Sequence, residues 1–302
     1  MFRKALVALD GSHRSEAILK PLTFLAPRLG TSLCLLHVLE SPVETADEEV
    51  EAGTRAQRER ITATVRDYLE GLAQGLRDLG ITVQTEVVYG HPADIIVHKA
   101  QEEGYDLIAM CTRGRGVFPG TVIGSVASRV LQASPMPVLM VRPQRRRRFW
   151  TAPSRISRLL VPLDGSEGAE AALPYAEELA GILSLPISLI QVLPTTVVVP
   201  VGAANVILWD SSSTYHRRLD VLASGYLAGI GRRLMEKGLQ VDWDVMGGSP
   251  VDAIVSWASR NGPTLIVMAS RARKGLIKLL GGVTEAVVRE GRMPVLVVPP
   301  KG

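Results

Sequence analysis

Cysteine is scarce in this chain, which argues against a disulfide-rich protein and against a cysteine-based metal site. The 302 residues include two cysteines, Cys34 and Cys111, and neither stands in a C-x-x-C or Cys/His spacing. The pattern therefore predicts no disulfide framework and no metal site, and a reducing cytoplasm is the expected location. Hydrophobic residues make up 46% of the chain and charged residues 21%, so we expect an ordered protein that buries a core.

Neither a secretion signal nor a membrane-spanning stretch is predicted. Asp10 follows only five largely apolar residues, which argues against a signal peptide. Residues 179–209 carry no charge, but Pro186, Pro194 and Pro200 argue against a membrane helix there. We expect residues 195–209, TTVVVPVGAANVILW, to be an apolar loop that packs as a lid, covers a pocket or buries against a partner.

Signatures of a fast nucleotide hydrolase are also lacking. The P-loop pattern G-x4-G-K-[S/T] is absent, and Ser12 and Ser166 lie in D-G-S turns rather than in a G-x-S-x-G elbow. No side chain can be assigned as a nucleophile or a general base. The sequence therefore names no catalytic residue.

What the chain does contain is one pattern twice. LVALDGS at residues 6–12 returns as LVPLDGS at 160–166, and DLIAMCTRGRG at 106–116 returns as TLIVMASRARK at 264–274. SPMPVLMVRP at 134–143 likewise returns as GRMPVLVVPP at 291–300. The repeats predict two tandem domains, at residues 1–142 and 158–302, joined by a linker at 143–157.

The formal net charge of +4 arises around this linker. Residues 142–158 hold seven arginines and no acidic residue, together with Pro143 and Pro153. Such a run is typical of a solvated connector, and the folded halves offer no basic surface to extend it. Nucleic acid and membrane partners are therefore not expected.

Apolar runs separated by helical segments define the fold class. Stretches such as Leu107–Cys111 and Val138–Val141 show no polar alternation, and helices are predicted to end at Gly30, Gly80 and Gly104. Strands that are apolar on both faces indicate a parallel sheet covered on both sides. Each copy is thus predicted to be a doubly wound α/β domain of the flavodoxin or Rossmann type, with five strands and four helices. Ligands bind such sheets at the carboxyl ends of the strands.

Two loops are expected to meet at that edge of copy one. Asp10-Gly11-Ser12 follows the first strand, and residues 111–116, CTRGRG, follow the fourth, before a helix that starts near Gly124-Ser125. Backbone N–H groups at a glycine loop and a helix start attract phosphate, to which Arg113 and Arg115 would add charge. Ser125 is predicted to cap the helix or to donate to a phosphate, and Asp10 suits ribose hydroxyls. A simple turn with a capped helix is the alternative.

These residues resemble the universal stress protein family. The resemblance rests on the L-D-G-S turns, on His37-Val38, on GHPAD at residues 90–94, and on GSVASRVL followed by PMPVLMV, and it covers both copies. Nucleotide-binding members of the family carry G-x2-G-x9-G-[S/T] after the fourth strand and bind ATP there. Copy one has Cys111-x2-Gly114-x9-Gly124-Ser125, with cysteine in place of the first glycine.

The resemblance implies an ATP site in copy one, with Mg²⁺ accompanying the nucleotide. By similarity, Asp10 contacts the ribose, Val38 the adenine, and Gly114 with Gly124 and Ser125 the phosphates. Cys111 adds a Cβ and a sulfur that would crowd the ligand or change its pose. The full set implied for nucleotide binding is Ala8, Asp10, Val38, Met110, Cys111, Arg113, Gly114, Arg115, Gly124, Ser125 and Val126.

Copy two departs further from the family pattern. Its loop reads Ala269-x2-Ala272-x8-Gly281-Gly282, one residue shorter and without the serine. If the family glycines need positive φ or close approach to phosphate, alanine there costs about 1 kcal/mol or more. We expect a degenerate pocket, with weak or absent ATP binding, formed by Asp164, Val192, Gly281 and Gly282. A ligand with base and sugar alone stays open for this pocket.

Three functions follow from these observations. The first is a stress-response regulator or sensor in which ATP occupies copy one, with slow ATP hydrolysis at most. The second is an interaction scaffold whose pockets are vestigial. The third, an enzyme that acts on nucleotides, would be favoured only by robust turnover that Asp10→Ala abolishes. The last strands, MPVLMV and MPVLVV, are apolar edge candidates, and in the family such strands pair between domains. The resemblance thus implies an internal pseudo-dimer of the two copies, and a homodimer of chains is a further expectation.

Overall fold

The computed structural model describes residues 1–40, 48–114, 123–143, 155–193, 197–201, 204–208, 214–270 and 282–300. For residues 48–54, 197–201, 204–208 and 214–216 it describes the backbone and not the side chains. The chain forms two compact units, Met1–Arg155 and Ile156–Gly302. Within each unit five strands pair in parallel and are flanked by helices, so the predicted fold class is confirmed.

The first unit alternates strands and helices as predicted. Its strands are β1 (Lys4–Ala8), β2 (Ser32–Leu39), β3 (Val83–Tyr89), β4 (Leu107–Cys111) and β5 (Val138–Val141). A 3₁₀ helix at Ser15–Ile18 leads into α1 (Leu19–Leu29), which is followed by α2 (Glu48–Arg77), α3 (Pro92–Glu102) and α4 (Ser125–Ala133).

The strand order of the first unit places its two predicted loops side by side. The order is β5-β4-β1-β2-β3, and every one of these pairings is parallel. The chain moves outward in one direction from β1 to β3 and in the other from β4 to β5. The reversal between β1 and β4 opens a crevice at their carboxyl ends, which is where ligands bind in such sheets.

The central strands are buried because both of their faces are covered. Ala5, Leu6 and Val7 of β1 are each 0% exposed, although consecutive residues of a strand point to opposite faces. Ile108 and Ala109 of β4 are also 0% exposed. A strand that is apolar at every position is typical of a parallel sheet between two helical layers.

The second unit repeats this arrangement with changes at its edges. Its main strands are β6 (Arg158–Leu163), β7 (Ile187–Leu193), β10 (Val241–Gly247), β11 (Thr264–Ala269) and β12 (Val295–Val298), in the order β10-β7-β6-β11-β12. Its helices are α5 (Glu167–Glu170), α6 (Leu173–Leu183), α7 (Thr214–Glu236), α8 (Pro250–Arg260) and α9 (Gly282–Glu290). All pairings among the five main strands are parallel.

The segment predicted to be an apolar loop forms a β-hairpin instead. β8 (Val197–Val201) pairs antiparallel with β9 (Ala204–Leu208), and Val197 lies opposite Leu208. The loop prediction was wrong because four of the five residues in β8 are valine, whose branched side chain favours extended backbone. This hairpin is a second, two-stranded sheet for which the described part of the first unit has no counterpart.

Candidate functional site

The crevice of the first unit is lined by the ends of three adjacent strands. Ala8 of β1 lies beside Met110 of β4 on one side and beside Leu36 of β2 on the other. Val38, two residues further along β2, therefore reaches the level of Asp10 at the same edge. Met110 is buried, whereas Ala8 and Val38 are half-buried and form the accessible floor of the crevice.

The turn after β1 fixes the carboxylate of Asp10. Its Oδ1 accepts hydrogen bonds from the backbone N–H of Ser12 at 3.0 Å and from the Ser12 hydroxyl at 2.6 Å. Gly11, between them, has φ 76°, a left-handed conformation that glycine adopts without strain. The Ser15 hydroxyl donates to the carbonyl of Ser12 at 2.8 Å and closes the turn. One oxygen of Asp10 is thus held by its own loop.

The other oxygen of Asp10 lies against Gly114. A Cβ built on Gly114 would lie 1.8 Å from Oδ2 of Asp10 and 2.6 Å from its Cγ. The loop after β4 can therefore approach the turn after β1 only because residue 114 lacks a side chain. This contact joins two predicted site residues that are 104 positions apart in the chain.

Helix α4 begins next to this contact, with Gly124 and not Ser125 as its cap. Gly124 has extended backbone, its N–H donates to the carbonyl of Thr112 at 2.8 Å, and its carbonyl accepts from Ser128 at 2.9 Å. Ser125 is the first helical residue and is exposed, so the prediction that its side chain caps the helix was wrong. The N–H groups of Ser125 and Val126 belong to the first turn, which has no intrahelical acceptors for them. An anion at this position would be stabilised by both.

Neither loop glycine of the first unit is required by a left-handed backbone conformation. Gly124 has φ −64°, and neither Gly114 nor Gly124 is among the residues with positive φ. The sequence suggested two reasons for glycine in this loop, a positive φ or a close approach of the backbone to another group. A positive φ is wrong for both Gly114 and Gly124. Close approach is the one that applies at Gly114, where the neighbour is the Asp10 carboxylate.

Cys111 directs its sulfur into the protein. Its Sγ donates to the carbonyl of Ser15 at 3.3 Å, and the residue is 6% exposed. Burial raises the pKa of the thiol above its ordinary range, so the group is a neutral thiol that is not activated as a nucleophile. The cysteine side chain thus binds β4 to the start of the 3₁₀ helix.

Arginine side chains gather at the same edge. Arg113 follows β4, is half-buried, and has a guanidinium pKa lowered by burial and by the nearby charges of Arg142 and Arg14. Arg115, the other predicted arginine, lies outside the described residues. Arg113 directly follows Thr112, whose carbonyl accepts from Gly124 at the start of α4.

One polar cluster next to the site was not predicted. The Tyr68 hydroxyl of α2 donates to Oε1 of Glu16 at 3.2 Å, and His13 Nδ1 lies 2.9 Å from the same oxygen. Burial, followed by the Glu16 charge, raises the pKa of Tyr68, so that the hydroxyl keeps its proton. The second unit repeats this contact, with Tyr226 donating to Glu170 at 2.9 Å. Both residue types recur at the offsets of their neighbours in the second copy, although the sequence alone does not show that they are in contact.

Comparison with known proteins identifies the family. The family model described as the universal stress protein family matches residues 1–142 and again residues 155–299. The chain belongs to the universal stress protein family. A universal stress protein of Bacillus subtilis is 32% identical over 150 residues, which cover 47% of this chain and 100% of the relative. One of Methanocaldococcus jannaschii is 27% identical over 155 residues, covering 47% of this chain and 96% of the relative.

A solved structure supports the same fold over both units. The universal stress protein of Archaeoglobus fulgidus superposes with a TM-score of 0.69 at 23% identity and covers 99% of both chains. A second, from Pseudomonas aeruginosa, gives a TM-score of 0.65 at 20% identity, with 99% of this chain covered. At such identities the likeness concerns the fold.

The second universal stress domain keeps the turn, but its aspartate is more exposed. Oδ1 of Asp164 accepts from the Ser166 N–H at 3.0 Å and from its hydroxyl at 2.5 Å, as in the first unit. Asp164 is exposed, however, whereas Asp10 is half-buried. Val192 is half-buried at the end of β7, and Gly282 is the first residue of α9. Gly281 lies outside the described residues.

Two further observations bear on ligands and location. Among the described residues, no group of three or more His, Cys, Asp or Glu side chains is arranged to hold a metal ion. No helix in that part of the chain is long and apolar enough to cross a membrane.

Proposed function

We propose that this universal stress protein is a regulator or sensor that binds ATP in its first unit. The contact between Asp10 and Gly114, beside the start of α4, supports this proposal most directly. It brings an acceptor for ribose hydroxyls next to N–H donors and positive charge suited to phosphates. Binding would act as an occupancy signal, since no described side chain has been assigned as a base or nucleophile.

The proposed residues divide by chemistry. Half-buried Val38 and Ala8 would offer an apolar surface to the adenine, and Asp10, whose Oδ2 lies against Gly114, would accept from the ribose hydroxyls. The first turn of α4 and Arg113 offer donors to the phosphates. Mg²⁺ usually binds nucleotide sites through phosphate oxygens and few carboxylates, so the ion would arrive with ATP.

Titration calorimetry of the nucleotide-free chain with Mg-ATP tests the proposal. We expect one site per chain, because the loop of copy two has Ala269 and Ala272 at the glycine positions and lacks the serine of copy one. Gly124→Asp should abolish binding, since a carboxylate at this position repels phosphate. The variant should still fold, because a Cβ at residue 124 meets only the Thr112 carbonyl, at 3.5 Å, and aspartate is a favoured N-cap residue.

Gly282→Asp in the second unit is the matched control. Residue 282 begins α9, a Cβ there meets nothing within 4 Å, and an acidic residue suits a helix start. We expect its ATP affinity and stoichiometry to equal those of the unaltered chain. Absence of ATP binding by the unaltered chain, or full binding by Gly124→Asp, would replace the sensor proposal with the scaffold alternative.

Pairing of the two domains through their last strands stays a proposal based on the apolar sequences of β5 and β12. If the outer edges of these strands are paired, all their amide protons should exchange slowly. Fast exchange of alternate amides would contradict pairing.

Light scattering tests the proposed homodimer, for which a particle mass of twice 32.6 kDa is expected. The stress response and the cytoplasmic location likewise stay predictions.

A further inference from the structure

Helix α7 of the second unit exposes two large apolar side chains. Val221 is 72% exposed and Leu222 69%, the highest values among the large apolar residues that the structure describes. Gly225 and Gly229 of the same helix are also exposed, and nothing lies within 4 Å of the position that a Cβ would take on either. Large apolar side chains beside such open positions form a surface onto which another chain segment can pack.

An arginine stands at each end of this apolar stretch. Arg218 precedes Leu222 by one turn and Arg232 follows Gly229 by one turn, so they lie on one side of the helix, about 21 Å apart. Both arginines are exposed. The ion pairs described in the second unit do not involve them; they are Arg158–Asp242, Lys237–Glu177 and Arg289–Glu290. We call the following residues the α7 face: Arg218, Val221, Leu222, Gly225, Gly229 and Arg232.

The fold does not require this surface, because the first unit builds the same helix without it. At the offset of 158 residues that aligns Tyr226 with Tyr68, the positions of Val221, Leu222, Gly225 and Arg232 hold Ala63, Thr64, Asp67 and Gln74. All of these positions are exposed in both helices. Packing inside a unit therefore does not select their side chains, and the apolar pair with its arginines points to a contact outside the unit.

The first unit contains a segment of the opposite charge. Residues 44–51, ETADEEVE, hold five acidic residues and no basic one, more acidic residues than any other stretch of eight in the chain. We call residues 44–51 the acidic segment. Helix α2 begins inside it at Glu48, and residues 41–47 lie outside the described residues. Residues 217–236 of α7 hold four arginines against Asp220 and Glu236, a net charge of +2.

We propose that the α7 face of one copy of the chain binds the acidic segment of a second copy. Guanidinium groups bind carboxylates through paired N–H donors, and the complementary charges fix which surfaces meet. Two such contacts, related by a two-fold axis, would form a closed dimer. This inference rests on the proposed homodimer and names its surface, and it is independent of nucleotide binding.

Sedimentation velocity of the full chain tests the contact through two charge reversals. The face variant combines Arg218→Glu and Arg232→Glu, and the segment variant combines Glu48→Lys, Glu49→Lys and Glu51→Lys. Each variant opposes like charges in both contacts, so each should raise the dissociation constant of the dimer at least about tenfold. High salt should weaken the unaltered dimer, because it screens exposed charges.

Mixing the two variants supplies the decisive measurement. The face variant has an acidic face and an acidic segment, whereas the segment variant has a basic face and a segment of net charge +1. Opposite charges therefore meet in both contacts of a mixed dimer. We expect the mixture to sediment as a dimer near twice 32.6 kDa, although neither variant associates alone. Recovery of the dimer would also show that both variants are folded.

Single substitutions separate the apolar part of the contact from its charge. Leu222→Ser should weaken the dimer at least about tenfold, because the apolar side chain is buried in the contact. Ile182→Ser is its matched control, since Ile182 is also exposed, at 47%, but lies on α6. Arg260→Glu, at an exposed position on α8, is the control for charge reversal. Both controls should leave the dissociation constant unchanged.

Four results would overturn the proposal. A dimer of equal strength in all variants would remove the α7 face and leave the homodimer in place, whereas a chain that is monomeric at every concentration would remove both. Loss of the dimer in the segment variant alone would assign the acidic segment to another basic surface, such as the linker at residues 143–157. Binding of a monomeric chain to phosphatidylglycerol vesicles, lost in the face variant, would make an anionic membrane the occupant.

Discussion

The first and second units build the same D-G-S turn and place it in different surroundings. In both, the aspartate Oδ1 accepts from the serine N–H two residues later at 3.0 Å. Asp10 is half-buried against Gly114, whereas Asp164 is exposed. The turn is therefore set by local sequence, while enclosure of its carboxylate depends on a distant loop. The ability to bind nucleotide is expected to follow the enclosure.

The two units also reach the same packing with different side chains. In the first unit, Ala73 of α2 and Thr85 of β3 occupy the positions that Gly231 of α7 and Trp243 of β10 occupy in the second. A Cβ built on Gly231 would lie 2.6 Å from Cε3 of Trp243. The larger strand residue of the second unit is thus accommodated by a helix residue without a side chain.

Gly114→Ala is expected to have the largest effect on the difference in ATP binding between the two units. The new Cβ would lie 1.8 Å from Oδ2 of Asp10, so the carboxylate must leave its position. Loss of a charged hydrogen bond to the ligand weakens binding by about tenfold to a hundredfold. Calorimetric titration with Mg-ATP measures the effect. Gly71→Ala, where a Cβ meets nothing within 4 Å, is the control and should bind normally. Equal affinities of the two variants would refute the role of Gly114.

Gly231→Ala should destabilise the second unit by about 1–3 kcal/mol, because the added methyl group overlaps Trp243. Combining it with Trp243→Thr recreates the residue pair of the first unit and should remove the clash. Urea unfolding of the single and double variants measures this coupling. Gly229→Ala, also on α7 but with open space around its Cβ, is expected to stabilise the helix. Similar stabilities of the two glycine variants would contradict this packing account.

The parallel sheets were predictable from sequence because their determinants are local. Uninterrupted apolar runs gave the strands, and the helix ends at Gly30, Gly80 and Gly104 coincide with φ of 65°, 77° and 67°. A glycine after an apolar periodic segment specifies such an end without reference to the rest of the fold. The start of α4 near Gly124-Ser125 was predicted, but the cap was assigned to Ser125 and not to Gly124, because glycine and serine are both acceptable caps.

Contacts that depend on distant residues were not predictable in the same way. The Tyr68–Glu16 hydrogen bond joins residues 52 positions apart, and no local pattern selects that pair. The sulfur of Cys111 faces Ser15 because of the side of β4 on which it lies, and an all-apolar strand gives no period from which to read that side. The β8–β9 hairpin was missed because the loop prediction gave no weight to the β-branched valines of β8, which favour extended backbone.

Tyr68→Phe and Tyr226→Phe test whether the repeated tyrosine–glutamate pair stabilises both units alike. Each variant removes a hydroxyl that donates to a glutamate, at 3.2 Å in the first unit and 2.9 Å in the second. We expect each to lower the free energy of unfolding by about 1 kcal/mol, the usual net value of such a bond. Hydrogen exchange would assign each loss to its own unit. A loss of stability in only one unit would show that the same hydrogen bond contributes differently to the free energy of unfolding of the two units.

The smallest expected effect concerns pH and a cluster that only the first unit has. Lys99, 13% exposed, donates to Glu86 at 2.7 Å and to Glu103, whereas the second unit has Trp257 at this position, 5.5 Å from the Arg158 guanidinium. Burial lowers the pKa of Lys99, but its bonds to both glutamates outweigh burial and raise the pKa above 10.5. The Lys99 bond lowers the pKa of Glu103 below 4.5.

These shifts stabilise the first unit between the two titrations. The Glu103 contribution is present above pH 4.5 and is lost as pH falls through the lowered pKa. The Lys99 contribution is present below pH 10.5 and is lost as pH rises through the raised pKa. Lys99→Met should therefore flatten the pH dependence of the free energy of local opening in β3 and α3, as measured by hydrogen exchange. The same quantity in β10 and α8 should be unchanged. An unaltered pH profile in the variant would assign the acid and alkaline sensitivity of the first unit to other groups.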